Sequence, residues 1–248
     1  MSLESGIADL TKASTDLIAT FNGKKNEINK AVADAIAAIP ENLKIYHVNQ
    51  QTGLDTNNGF TVTPLKTIQK ALDNTPVGGI CRVYVQGDYQ LSVNCLVDGR
   101  FLTVFSDQSG TRRKIAPAYY LSSDGTVSYM AGFSLTNGGS VMLQDISIPM
   151  PSSLGLAVAP SGFTWSFFKT TSNGGTPFMS IKMTSCDVTV PADGSFQGYI
   201  VGAPQSAVIL EVLAVSFPSG FGGRYVAGIP SGTAPATLSN ILTNIPAL

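Results

Sequence analysis

The stretch Gly53 to Tyr89, GLDTNNGFTVTPLKTIQKALDNTPVGGICRVYVQGDY, limits the folds open to this chain more than any other, because it holds the last helical pattern before a remainder made of strand-like runs. Asp55-Thr56-Asn57-Asn58-Gly59 is a dense turn signal, since short polar side chains bond their own backbone and tolerate left-handed geometry. Pro64 presets a first helical turn, and Ile68, Ala71 and Leu72 recur on one helix face, which predicts a short amphipathic helix from Leu65 to Asp73. Asn74-Thr75-Pro76 and Gly78-Gly79 end it, and Ile80 to Val85 has the β-branched and aromatic bias of a strand. No second helix of this kind follows, which argues against an ordinary series of βαβ crossovers. A lone helix of about two and a half turns before a run of strands reads instead as a lid. A coiled sheet leaves an open apolar end with unpaired strand edges, and Leu65, Ile68 and Leu72 are the residues expected to cover it.

Beyond Tyr89 the pattern is one of short strands separated by Gly, Asn, Ser and Pro turns: Leu91 to Val97, Phe101 to Phe105, Ser128 to Leu135, Ser140 to Ile148, Phe163 to Lys169, Phe178 to Met183, Cys186 to Val190, Tyr199 to Val201 and Ala207 to Phe217. Such spacing predicts an all-β unit. The segments from Val141, Ile181 and Ile209 echo one another at irregular intervals, as coils of a β-helix with unequal loops would. A β-sandwich or jelly roll is the competing architecture. The tail from Phe217 is rich in Gly and Pro, with Ile241, Leu242, Ile245 and Leu248 expected to pack on the trunk or on a neighbouring subunit, and a short helix is expected within Ala234 to Leu242.

Upstream, the positions Leu3, Ile7, Leu10, Ser14, Leu17, Phe21, Lys24 and Ile28 step by alternating fours and threes, a heptad seam. Its phase moves at Val32, Ala35 and Ile39, which reads as a stutter. A long helix with so narrow a seam is not stable alone and should associate through it. An antiparallel hairpin broken at Asn22-Gly23 is the alternative, and Pro40 ends the helical run in either case. Leu43 to Gln50 then alternates like a first strand and carries the sole histidine, His47, read as a structural residue.

Gly53, Asp55, Thr56, Asn57 and Gly59, the run Pro64-Leu65-Lys66-Thr67-Ile68-Gln69-Lys70-Ala71-Leu72-Asp73, then Val83-Tyr84-Val85 and Gly87-Asp88-Tyr89 resemble the entry to the pectin-lyase-like right-handed β-helix of bacteriophage tail spikes and fibres. Asn58 stands for the usual Asp and Leu65 for the usual aromatic. The match covers about 37 of the 248 residues. The resemblance implies a mainly β chain with an N-terminal α-helical coiled coil and a short right-handed parallel β-helix. It further implies a homotrimeric virion appendage, assembled in the host cytoplasm, with a structural role in host attachment or assembly. The corresponding organisation is a stalk over residues 1–40, a transition with capping helix over 41–89, a trunk over 90–216 and a C-terminal segment over 217–248. Partners expected on this reading are other copies of the chain, other virion proteins through the helix, and a host surface glycan.

Composition fits a neutral, self-associating surface: charged residues make up 12%, hydrophobic ones 44%, and the net charge is −1, against about 25% charged in an average domain. Nucleic acid and anionic membrane, which need a basic surface, are not expected as partners. Met1-Ser2-Leu3-Glu4 lacks the basic start of a secretory leader, and no run approaches the length of a membrane span. Cys81, Cys95 and Cys186 have no metal spacing and read as small buried hydrophobes; neither metal nor cofactor is expected.

Two rival functions remain, a depolymerising spike acting on polysaccharide and a decoration protein without ligand. The first needs two facing carboxylates. Of the sixteen acids, Asp145, Asp187 and Glu211 lie in the three echoed segments and are the only candidates for a stacked column. Arg112, Arg113, Tyr119 and Tyr120 are candidate contacts for a glycan or partner, with a solvated loop as the plainer reading of the basic cluster that Lys114 completes. Phe163, Trp165 and Phe167 would share one face of a strand, taken as core or interface.

Overall fold

The computed structural model describes residues 2–38, 42–159, 162–170, 176–203 and 205–248. They form two compact units, one containing a single helix and one beginning at Asn42. The helix runs unbroken over Leu3–Ala38, so the hairpin broken at Asn22-Gly23 does not form. Gly23 is accommodated in its interior at a cost of about 1 kcal/mol relative to Ala. The side chains of Leu3, Ile7, Leu10, Leu17, Phe21, Ile28 and Val32 are between 53% and 84% exposed in the single chain, and Ala35 is exposed as well. Ile39 lies outside the described residues.

The second unit is mainly β and its principal sheets are parallel. Sheet I has seven strands whose spatial order equals their order in sequence: Leu43–Val48, Ile80–Val85, Phe101–Ser106, Ser140–Gln144, Phe178–Thr184, Ala207–Leu213 and Ile241–Thr243. Sheet II holds Tyr89–Leu91, Arg113–Pro117, Ile146–Pro149 and Asp187–Thr189, and sheet III holds Cys95–Asp98, Phe133–Thr136, Ser166–Lys169 and Tyr199–Gly202. From Ile80 onward the chain therefore visits I, II and III in turn, again and again. A fifth round continues through single bridges at Ser216, beside Asp187, and at Val226, beside Val201. Sandwiches and jelly rolls are built from antiparallel ladders. Here the one antiparallel ladder among named strands is a short hairpin, Tyr119–Leu121 with Ser128–Met130, inserted between sheets II and III.

Alternation decides which side chains stack inside. Cys81, Leu102, Val141, Ile181 and Leu210 share one register position of sheet I, and Tyr46, Val83, Val104, Leu143 and Met183 share another; all are buried. A fully buried aliphatic or aromatic side chain contributes about 1.5–3 kcal/mol, and a one-residue slip would turn each whole column outward. Phe133, Phe167 and Phe168 close the core against sheet III, with ring centroids 4.8–5.9 Å apart. At successive corners between sheets I and II, Asp145, Ser185 and Ala214 adopt φ of 56°, 52° and 53°. This left-handed conformation costs a non-glycine residue about 1–2 kcal/mol, so the sharp bend is imposed by the strands that flank it.

The entry stretch finishes the open edges of the three sheets. The first strand of sheet I is covered by the loop before the helix: the Leu65 amide donates to the His47 carbonyl at 2.9 Å, and the Asn49 and His47 amides donate to the Leu65 and Gly59 carbonyls at 2.9 and 2.7 Å. In sheet II the Gln50 side chain acts as a missing strand, accepting from the Gln90 amide at 2.8 Å and donating to its carbonyl at 3.0 Å. In sheet III, Gln69 accepts from the Leu96 amide at 2.7 Å. Unpaired edges template aggregation, and two side-chain amides and one loop remove them at this end.

The helix of the entry spans Ile68–Asp73, three residues shorter at its start than Leu65 to Asp73. Pro64 and Leu65 are extended instead, because Leu65 is pairing with the first strand. Thr67 is the N-cap, its hydroxyl accepting from the Lys70 amide at 3.1 Å. Leu65, Ile68, Ala71 and Leu72 are fully buried, and the helix packs on Leu43–Val48, Ile80–Val85 and Cys95–Asp98. At the far end, the Asn244 amide pairs with Val212 at 2.9 and 2.6 Å. Ile241, Ile245 and Leu248 are buried while Leu242 is exposed. The expected helix within Ala234 to Leu242 is only a 3-10 turn, Pro235–Thr237, followed by the last strand of sheet I.

Candidate functional site

The motif residues of the entry are held by one carboxylate. Asp55 accepts from the Lys66 and Thr67 amides at 3.0 and 2.9 Å and from the Thr67 hydroxyl at 2.9 Å. Gly53 is needed because a Cβ would overlap the Leu65 carbonyl. The Tyr89 hydroxyl accepts from the Ile68 amide at 3.3 Å, and burial pushes its ionisation up to about 12. These residue types are thus accounted for by the closing of the stack.

The three candidate acids are not brought together. In the strand register Asp187 pairs with Ser147 and Glu211 with Lys182, while Asp145 sits at the corner with its amide donating to the Thr184 carbonyl at 3.1 Å. Three separate columns result. Glu211 lies in sheet I, Asp145 at a corner and Asp187 in sheet II. Asp187 is engaged by Arg112 at 3.3 Å and by the Ser147 hydroxyl at 2.7 Å, and Glu211 by Lys182 at 2.8 Å.

The basic cluster is not a solvated loop throughout, since Arg113 and Lys114 open a strand of sheet II. Arg113 binds Asp107 through Nε at 2.8 Å and Nη2 at 3.2 Å. Arg112 donates to the Ser185 carbonyl at 2.9 Å. Lys114 stands 3.8 Å from Asp88. These cations are therefore matched inside the chain, Arg112 being the more exposed of the two arginines.

Tyr119 and Tyr120 lie on the inserted hairpin. Tyr119 packs edge-on against Trp165, centroids 6.2 Å apart, and Trp165 Nε1 donates to the Ser128 carbonyl at 3.0 Å; burial pushes the Tyr119 phenol up to about 12. Tyr120 rests on Tyr129, centroids 5.4 Å apart. A shallow cleft of about 150 Å³ runs between Tyr119, Tyr120, Leu121 and Leu156. A second, of about 120 Å³, lies between Phe196, Phe221 and Arg224, with the Arg224 guanidinium 5.6 Å from the Phe196 ring centroid. Both are well below the roughly 300 Å³ at which small-molecule sites begin. Trp165 and Phe167 are both buried, but a 3-10 turn over Gly162–Trp165 breaks the alternation that would have put them on one strand face; the side chain of Phe163 lies outside the described residues.

Lys169 escaped sequence reasoning. It is buried on sheet III, donating to Asn94 Oδ1 at 2.8 Å and to the Met130 carbonyl, and burial pushes its ammonium down to about 7. A lysine closing an apolar run was the only local signal. His47 stacks on Tyr84, centroids 5.3 Å apart, and its Nε2 is 3.0 Å from the Thr61 hydroxyl; burial lowers its pKa. Cys81, Cys95 and Cys186 are free and buried, with every thiol pushed up by desolvation. No group of three metal-ligating side chains occurs among the described residues, and no described helix is long and apolar enough to cross a membrane.

Compared with known proteins, the chain matches no family model, no curated protein and no solved structure.

Proposed function

We propose that this chain is a structural component of a bacteriophage virion, a tail fibre, tail spike or collar fibre, acting in attachment or assembly as a homotrimer. The observation that carries the reading is the helix Leu3–Ala38. It displays nine large apolar side chains, each more than half exposed in the single chain. A helix of this length extends about 54 Å, and its apolar stripe has the period of a coiled-coil seam. Other virion proteins would dock on the outer surface of that stalk.

The trunk on this reading is a short right-handed parallel β-helix. Parallel strands visited in the fixed order I, II, III favour it, since connections between parallel strands of one sheet are right-handed in about 98% of cases. The edge-closing entry motif and the low charge suit a shaft that is finished at both ends. Attachment, to a host glycan or to the next component, would use the hairpin inserted between sheets II and III, where Tyr119 and Tyr120 are partly exposed, and Arg112 at the corner between sheets I and II.

The test is immuno-electron microscopy of the particles whose genome encodes the chain, using antibodies against residues 42–248. Labelling of a tail or collar appendage is expected, and unlabelled particles would overturn the assignment. Incubating the protein with host polysaccharide separates the rival enzyme: unchanged chain length is expected, and shortening would replace attachment by depolymerisation.

A further inference from the structure

The outer face of sheet I carries a mainly apolar row at one end of its strands, then a mixed row, then one that opens with three stacked rings. Leu43, Ile80, Phe101, Ile209 and Leu242 share one outward register row with Ser140 and Ser180, and these five are 37–67% exposed. Two positions along, Ile45 and Met142 flank Arg82 and Thr103. Two further along, the rings of His47, Tyr84 and Phe105 stack in a ladder with centroids 5.3 and 5.5 Å apart, and Leu213 ends that row. Parallel sheets are ordinarily covered on both faces. Here one face is the core, and the other is uncovered among the described residues except where the Thr61 hydroxyl of the entry loop meets His47 at 3.0 Å.

Two cations lie on this face. Lys182 is paired with Glu211 at 2.8 Å, and Arg82 lies 5.7 Å from the Phe105 centroid with its Nε unpaired among the described residues, so covering the face desolvates one matched pair and one guanidinium. Seven strands at about 4.8 Å spacing, and outward rows spanning about 20 Å with their side chains, give a patch of about 600 Å². That falls short of the roughly 800 Å² per partner of a stable interface between separate proteins. A second copy of this chain faces no such shortfall, because copies already joined through their helices meet at millimolar effective concentration. A separate partner lacks that advantage.

We propose that the outer face of sheet I is the surface on which copies of this chain pack against one another, the faces of neighbouring copies meeting across a shared axis. The inference rests on the self-association of the helix proposed above. Hydroxyl-radical footprinting of the full chain, read residue by residue by mass spectrometry, tests it. Phe101, Met142 and Leu242 should be oxidised several-fold more slowly than their exposure in the single chain dictates, whereas Phe60 and Leu154, exposed outside this sheet, should react at their expected rates. In a full-length variant with Leu10→Asp and Leu17→Asp the protection should be lost. A second full-length variant, Phe101→Glu, should keep its oligomeric mass yet release Met142 and Leu242.

An oligomer whose Phe101 and Leu242 react as if exposed would overturn this inference alone and leave the helical assembly standing. Protection that survives in a monomeric seam variant would also overturn it, assigning the cover to the chain's own residues. A monomeric wild type would overturn both readings together.

Discussion

Replacing Asp55 by alanine removes one acceptor and leaves three donors: the Lys66 and Thr67 amides and the Thr67 hydroxyl, held at 2.9–3.0 Å. Thr67 is also the N-cap of Ile68–Asp73, so the substitution loosens the cap as well as the loop. Bonds to a charged acceptor contribute about 1.5–3 kcal/mol each. Taking the low end for all three, and discounting by about half because the cluster is only part-buried and water replaces some of the loss, gives about 2–3 kcal/mol. In a unit of the size of Asn42–Leu248, each kcal/mol moves the melting temperature by about 2–4 °C, so Asp55→Ala should melt about 4–12 °C lower. Thermal unfolding by circular dichroism at fixed protein concentration measures it. Asp73→Ala, which loses one exposed bond from Gln69 at 2.9 Å, should shift little, and Thr67→Val, which loses the cap and the hydroxyl's bond to Asp55, should lose about 1–2 kcal/mol. An Asp55→Ala protein melting with the wild type would refute the idea that this carboxylate ties the cap to the stack.

Lys169 carries a pH prediction. Its folded pKa, about 7, lies below the ordinary value of 10.5, so between these values the unfolded chain holds a proton the folded chain lacks, and this group makes stability rise with pH across that window. The thiols of Cys81 and Cys186, raised from 9.0 to about 11, act oppositely above pH 9, so the comparison is with Lys169→Met: urea midpoints of the two proteins should diverge between pH 7 and 9.5, and parallel profiles would contradict the assignment. A Cβ on Gly132 would overlap the Phe167 carbonyl, whereas one on Gly23 meets nothing within 4 Å; Gly132→Ala should fail to accumulate as folded protein, while Gly23→Ala should gain about 1 kcal/mol of helix stability, both read by circular dichroism. Phe168→Ala, emptying a site packed by Phe133 and Phe167, should cost about 3–5 kcal/mol in a urea titration.

How much of this was legible in the sequence depended on the range of the physics involved. Ile80–Val85 and the burial of Leu65, Ile68 and Leu72 follow from local alternation and periodicity, and both could be read directly. The corners were hidden, because Ser140 to Ile148 reads as one strand although it bends between two sheets at Asp145. A left-handed aspartate gives no signal of the kind glycine or proline would. The same bend separates Asp145, Asp187 and Glu211, the candidates for a stacked column, into three. Arg113–Pro117 was missed as a strand because its basic start resembles a loop, and the carboxylate of Asp107 that neutralises Arg113 is identifiable only in the fold. Lys169 was invisible for a related reason: Asn94, which accepts its hydrogen bond, lies 75 residues away in sequence. The edge-closing roles of Gln50, Gln69 and Asn244 belong to the same class, being long-range bonds made by residues of unremarkable local context.

The central claim is that exposed apolar side chains on Leu3–Ala38 hold copies of the chain together. The mass of the full chain in solution, by light scattering, tests it most directly when set beside a version beginning at Leu43. The account predicts three chains per particle for the first and a smaller or readily dissociating particle for the second. A monomer in both would contradict it.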